Sequence, residues 1–445
     1  MSGTTVERAL LELPDATRDH ARAAIGWLLP EDDDEWDDLL QLTLQGFLWY
    51  SLPMKWLTDS AHHHEVAWAL GDLFEVAGLA RYSGLCRSTA THELISRWET
   101  EPETAHTRFQ TLMADSGVDP PDTALLTWGR LQSLTEHAAC LHVSAALEAA
   151  VDAGSLVPGR RGWRSVAASI TERTLNGPDP HGDHPRLLDA VEAERCKDWL
   201  ADLRRRTVVS DHAAAALIAS VAPSPSDDDL DAVGASLAPL AWFLRRIGDG
   251  VTMTEAGYLP RGLALDADER YDWFDLKPKF TVRGERDLPE LMLIHRLARD
   301  AHLVTLRRRR LTVSARGRDA LGDERLLLRA ILTGLFDPTT WDGDAAVGVA
   351  VALVCADPTQ RFTGADLDAA LHRHLRARWR RGTTELAVDD VRGAGWPLRT
   401  AARTFGWFAP AERGAWDLAP RLTDVGRQAC LLGIRAVACG PRPAL

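Results

Sequence analysis

Three segments of the chain share one short order of residue types: an apolar residue, Ser or Thr, two variable positions, then Gly. They are Met253, Thr254 and Gly257 in VTMTEAGYL, Val313, Ser314 and Gly317 in LTVSARGRDAL, and Leu422, Thr423 and Gly426 in RLTDVGRQA. The last two stay in step further on, with Arg318 and Ala320 matching Arg427 and Ala429. This spacing restricts the backbone severely. The apolar residue closes a strand, the hydroxyl accepts the first free amides of a helix, and the glycine lets that helix lie close against a neighbour. An amphipathic segment precedes each copy: Leu237 to Ile247, Glu290 to His302 and Pro397 to Phe405.

Helix, short hairpin, capped helix is the order of winged-helix domains, whose hairpin is the wing. The pattern therefore predicts a mainly α, multidomain helical protein with repeated winged-helix-like units whose only strands are small β-hairpins. Most of the remaining chain reads as helix. VAWALGDLFEVAG, ALEAAVDAG, LAPLAWFLRRIG and LPELMLIHRLARDAH carry apolar residues at three- and four-residue intervals, and several stop at glycine. A looser relative lies at Ala146 to Leu175, where a helix stopping at Gly154, a strand at 155–157 and the turn PGRRG suggest a wing at 155–164. The alternative is a helical protein whose turns are unrelated.

At 445 residues the chain exceeds what one core usually serves, and 45% hydrophobic with 26% charged residues is the composition of a folded protein. Breaks fall at GPDPHGDHP (Gly177 to Pro185), APSPSDDD (Ala222 to Asp229) and FDPTTWDGD (Phe336 to Asp344), which places domains at 1–178, 185–330 and 331–445. The first residues have no basic head followed by an apolar run, and no segment approaches 18 uninterrupted apolar residues. A cytoplasmic protein with no membrane contact is expected. Six cysteines without a Cys-x-x-Cys pair read as reduced, mostly buried thiols.

The runs PLAWFLRRIGDGVTMTEAGYLP and LPELMLIHRLARDAHLVTLRRRRLTVSARGRDAL resemble the region that follows the ORF-3-like domain in plasmid and insertion-element passenger proteins of actinobacteria. Ser51 to Ile95 is similar to uncharacterised actinobacterial proteins. The likeness covers about residues 50–175 and 235–325. It implies no catalytic residues, and the ORF-3-like domain itself is not apparent. The apolar-Thr-x-x-Gly-Arg run also resembles winged-helix transcription regulators, which implies a fold more than an activity.

The segment HLVTLRRRRLTVSARGRDAL places Arg307, Arg308, Arg309 and Arg310 between two short apolar runs, in a chain of formal net charge -13. If 303–306 and 311–313 pair as strands, the arginines form the tip and can meet phosphate or a narrow minor groove. From His295 to Arg318, eight arginines face Asp300 alone. On the preceding helix Leu291, Ile294, Leu297 and Ala301 form the buried stripe, leaving His295, Arg299 and His302 on a face suited to a major groove, with Arg296 beside them. A second basic segment, LHRHLRARWRRG, reads as an amphipathic cationic helix in which Arg376 and Arg380 face phosphate. Arginine is abundant throughout, however, since of 51 basic residues only Lys55, Lys197, Lys277 and Lys279 are lysine. The opposing reading is that these arginines are solvated, blunt an edge strand, or pair with acids elsewhere. The third copy's wing candidate, PAERGAWD, carries more acids than bases.

Other chemistry is sparsely signalled. His62, His63 and His64 are adjacent, so they point to different sides of a helix and cannot converge on one ion, and His64-Glu65 lacks a second His four residues on. The acidic clusters Glu31 to Asp38 and Ser226 to Asp229 read as solvated loops and helix starts. No phosphate loop, dinucleotide fingerprint or nucleophile elbow is present. The expected protein is not an enzyme and has no metal or cofactor. It binds double-stranded DNA or acts as a regulator through its winged units. The alternative is a protein-interaction scaffold with the aromatic N-terminal region, including Trp49, Trp56 and Trp68, as partner surface.

Overall fold

Ser, Thr and Asp side chains start many of the long helices. Asp59, Ser88, Ser133 and Ser226 each accept an amide of the first turn. The computed structural model describes residues 5–29, 36, 38–206, 211–271, 273, 281–357, 360–410 and 418–440. The fold is mainly α and multidomain. Two compact units divide the chain, one up to Val191 and one over Glu192–Gly440. No described helix is long and apolar enough to cross a membrane.

In the first unit, helix α1 (Asp15–Leu28) lies on α2 (Ser60–Val76), which also packs on α3 (Thr89–Thr100). Small and branched residues such as Ala21, Ala24, Val66 and Leu70 fill that core. A second cluster lies along helices Leu134–Asp152 and Trp163–Leu175. The suggested wing at 155–164 is a succession of turns that carries no strand. Gly159 and Gly162 hold φ of 82° and 83°, so the chain coils straight into the next helix. Trp49 is buried and donates its indole N–H to Thr91 Oγ1 at 2.8 Å, so it offers no partner surface, whereas Trp68 is exposed. The stretch 31–35 of the acidic cluster, with Asp37, lies outside the described residues.

In the second unit one apolar core runs without interruption from Cys196 to Ala438, including residues on both sides of 330. The proline-rich stretch at 177–185 is an organised turn in which Asp179 accepts the amides of His181 and His184, and the division between units falls inside helix Leu187–Arg206.

The chain then runs α4 (Ala238–Ile247), β1 (Val251–Thr252), α5 (Arg261–Tyr271), α6 (Pro289–Asp300), β2 (Val304–Arg307), β3 (Arg310–Val313) and α7 (Ala315–Gly322). The sheet is antiparallel with order β1-β3-β2, and Val251 and Leu306 both pair with Leu311. Helix α8 (Glu324–Leu335) leads to a second passage of the same order. It contains α9 (Trp341–Val354), a bridge of Thr363 to Leu418, α10 (Gly364–Leu375), α11 (Trp396–Thr404), a bridge of Phe408 to Leu422, and α12 (Asp424–Ala438). In both passages the segment before the second helix pairs with the chain that leads into the last helix.

The two passages share a junction built on the pattern that opened the sequence reading. Helix α6 ends at His302 (φ 56°) and α11 at Gly406 (φ 70°), both left-handed. The next residue folds its amide back onto the helix, Leu303 to Ala298 O at 2.8 Å and Trp407 to Ala402 O at 2.7 Å, which is a Schellman closure. The carbonyl of that residue then accepts the amide of the next helix cap, Ser314 or Thr423, at 2.9 Å in each case. Ser314 Oγ and Thr423 Oγ1 in turn accept the amides of Gly317 and Gly426. The Met253 copy differs. Gly257 has φ 79°, which no helix accepts, and Thr254 closes a turn with Tyr258 after β1. Two repeats carry the junction, and the first match belongs to the sheet of the first repeat.

Candidate nucleic-acid interface

The hairpin tip is tighter than the sequence suggests. Arg307 and Arg310 are the last paired residues of β2 and β3, leaving Arg308 and Arg309 as a two-residue turn with φ of 46° and 67°. Two successive left-handed residues are the requirement of a type I′ turn, usually met by Asn-Gly. Arginine there carries steric strain.

The four guanidinium groups have different surroundings. Arg309 donates to Met253 O at 2.9 and 3.2 Å and lies 3.8 Å from Glu255, while Arg310 donates to Asp249 O at 3.1 Å. Those two fasten the hairpin to the ends of β1. The side chains of Arg307 and Arg308 are exposed and have no hydrogen-bond or ion-pair partner among the described residues. The same holds for Arg299 on α6 and Arg316 on α7. Leu306, 44% exposed, adds an apolar group beside the tip.

Helix α6 buries most of its circumference. Leu291, Ile294, Leu297 and Ala301 are buried as expected, but so are Leu293, Ala298 and His295. His295 is therefore not on a DNA-facing side. Its Nδ1 lies 2.7 Å from Glu285 Oε1, and the other oxygen of Glu285 accepts the amide of Leu259 at 2.6 Å. The pair fastens α6 to the segment that follows β1, so His295 positions the helix. The apolar stripe is wider than four residues because α11 packs on one side of α6 and α4 on the other. What remains exposed is a narrow row of Met292, Arg296 and Arg299, one helical turn apart, with the acid Asp300 at the end of the helix. Arg296 is held by Asp342 at 2.7 Å and by Asp300 at 3.4 Å, and those carboxylates raise its pKa although partial burial opposes them. It is thus less available than the sequence suggests. His302 is exposed and serves as the left-handed stop of α6, its carbonyl accepting from Ser314 Oγ at 2.7 Å.

The second basic segment does not form one helix. Helix α10 ends at Leu375 with Arg376 as its cap, so Trp379 and Arg380 lie beyond it. Asp344, on the first turn of α9, causes the bend. One oxygen accepts from His374 Nε2 at 2.9 Å and the other from Trp379 Nε1 at 2.7 Å, drawing both sides of the turn onto one carboxylate. Arg380 pairs with Glu385 and Arg381 with Asp390, each at 2.9 Å, while Arg376 stays exposed without a described partner. Within α11 only Trp396 and Arg403 are exposed, since Arg399 bonds Asp368 at 3.1 Å. Of the third wing candidate only Pro410 is described, and 411–417 lie outside the described residues.

Met292, one turn before Arg296, joins the exposed row, and Arg316, one of the eight arginines counted between His295 and Arg318, is exposed just after the cap Ser314. No family model, curated protein or solved structure matches the chain.

Proposed function

We propose that the chain is a non-catalytic, regulator-like DNA-binding protein, and that residues 238–322 are a winged-helix unit contacting duplex DNA through its wing and one edge of α6. The supporting observation is the tip itself. Arg307 and Arg308 are exposed and have no partner among the described residues, and Arg308 is held with Arg309 in a strained turn at the end of an antiparallel hairpin that follows a helix and leads into a capped one, the order a wing requires. Arg299, Arg316 and Met292 extend the contact along α6 and α7. Phosphate supplies most of the affinity, and the narrow exposed row of α6 permits little base reading. Residues 337–438 form a second winged-helix unit that is structural, because its third helix is covered.

A scaffold reading has one observation in its favour. α6 and α11, the helices that would enter a groove, pack against each other and bury much of both surfaces.

Fluorescence anisotropy of a labelled mixed-sequence duplex, with the full chain at low salt, separates the two. Arg308→Asn installs the residue preferred at the first turn position and relieves its strain, while leaving Arg309 bonded to Met253 O. This variant should lose at least about tenfold in affinity, lower the salt dependence by roughly one phosphate per lost contact, and melt no lower than the parent. No binding by the parent at low salt, or equal binding by the variant and by Arg307→Ala, would leave the scaffold reading in place.

A further inference from the structure

The three adjacent histidines of α2 are distributed as a helix requires. His63 points inward, with Nε2 3.3 Å from Trp56 O, and His64 faces α3, where its Nδ1 lies 2.7 Å from His92 Nδ1 and its Nε2 3.0 Å from Ser96 Oγ. His62 faces the other way, toward α1. There it meets His20, the ring centroids 4.8 Å apart and the planes at 89°. Glu65, one turn along α2 from His62, brings Oε2 to 3.7 Å from His62 Nδ1. One donor atom from each of His20, His62 and Glu65 lies within 4.8 Å of the other two.

We infer that His20, His62 and Glu65 form a three-ligand site for a borderline divalent ion such as Zn2+, bridging α1 and α2. Two imidazole nitrogens and one carboxylate oxygen are a donor set for Zn2+, Co2+ or Ni2+, whereas Mg2+ and Ca2+ favour all-oxygen sites. Tetrahedral bonds of about 2.0–2.1 Å put ligand atoms about 3.4 Å apart, so rotation of exposed Glu65 and half-buried His20 closes the site without moving either helix. The perpendicular imidazoles approach a shared point from different directions. Both ligand-bearing helices are fixed by the α1–α2 core, where Ala21, Ala24, Val66 and Ala69 are buried, so little order is lost on binding. With three protein ligands the ion keeps at least one position for water or an exchangeable ligand, unlike a closed four-ligand structural site.

The neighbouring His64–His92 pair is the competing location and a poorer one. Its two Nδ1 atoms share a proton, Ser96 engages the remaining nitrogen of His64, and Trp68 stacks on His92.

The untagged full-length chain, stripped with chelator, is titrated with Zn2+ by calorimetry and with Co2+ by visible absorption. The expected result is one ion per chain, with an intensified Co2+ spectrum from a four-coordinate site. Affinity should fall at least tenfold in His20→Ala and several-fold in Glu65→Gln, and stay unchanged in His64→Ala. His20 and Glu65 lie at the surface, so both variants should fold, and the apo melting temperature checks this. Absent binding, binding that survives His20→Ala, or binding abolished by His64→Ala each overturns the assignment.

Discussion

The two repeats of the second unit share a framework and differ in what they expose. Both close the third helix with a left-handed residue, fold the next amide back over that helix, and place a capped glycine beneath the following carbonyl. Yet among the described residues the first repeat leaves Arg299, Arg307, Arg308 and Arg316 without a partner on α6, the hairpin and α7, while the second covers α11, pairs Arg380, Arg381 and Arg399 with carboxylates and leaves Arg376 exposed. The framework therefore does not dictate the surface. Buried positions answer to the helix–hairpin junction, whereas exposed positions are free to carry charge or bury it against a neighbour.

The shared junction is most sharply tested at its glycines. A Cβ on Gly317 would lie 2.1 Å from Leu303 O, and one on Gly426 would lie 2.0 Å from Trp407 O. Neither carbonyl can swing aside without losing the cap amide it accepts. Alanine is otherwise the better helix residue by about 1 kcal/mol, so without the contact each substitution would stabilise. Gly317→Ala and Gly426→Ala are each expected to cost about 3 kcal/mol in urea unfolding. A stabilising outcome at either site would show that the repeats do not share this packing.

That junction was legible in the sequence because it is local. A hydroxyl cap, a glycine three residues on and an amphipathic helix before it depend on neighbours a few residues away. The mainly α fold and the apolar stripe of α6 were legible for the same reason. The burial of His295 was not, because it depends on Glu285 and on Phe243 of α4, whose ring centroid lies 6.1 Å from the imidazole. The bend after Leu375 likewise depends on Asp344, 30 residues upstream. The Met253 match failed because the pattern does not encode the sign of φ at its glycine. His20 escaped notice as a partner of His62 because the packing of α1 on α2 brings together residues 42 positions apart.

Each repeat also buries a histidine against a carboxylate, and the surroundings differ enough to separate them. Glu285 is nearly inaccessible and, without His295, keeps only the amide of Leu259. Asp344 without His374 keeps Trp379 Nε1, with Arg378 at 3.6 Å. His295→Ala should therefore cost about 3 kcal/mol and His374→Ala about half that, read as urea midpoints at neutral pH. Equal losses would break the distinction. The pH dependence follows from Asp344. Burial disfavours its charge, but the hydrogen bond and charge of His374, with Trp379 and Arg378, hold its pKa below the ordinary carboxylate range. A folded-state pKa below the unfolded value stabilises above about pH 4 and is lost as pH falls through the folded value. The parent's advantage over Asp344→Asn should be flat near neutrality and shrink below about pH 4 in thermal melts.

The smallest expected effect lies where the repeats use different residues for one conformation. His302 and Gly406 both end their helices at positive φ, and a Cβ on Gly406 would meet nothing within 4 Å, so the conformation alone sets its cost. His302→Gly relieves that strain but adds freedom to the unfolded chain, for a net gain of about 0.5 kcal/mol, while Gly406→Ala should lose about 1 kcal/mol. Opposite signs in matched thermal melts would confirm that the two positions are equivalent. A histidine where glycine fits better, exposed between α6 and the hairpin, also sharpens the contrast in surfaces. If His302 contacts DNA, His302→Gly should bind the duplex more weakly while melting higher, a combination that a purely conformational role for the side chain does not produce.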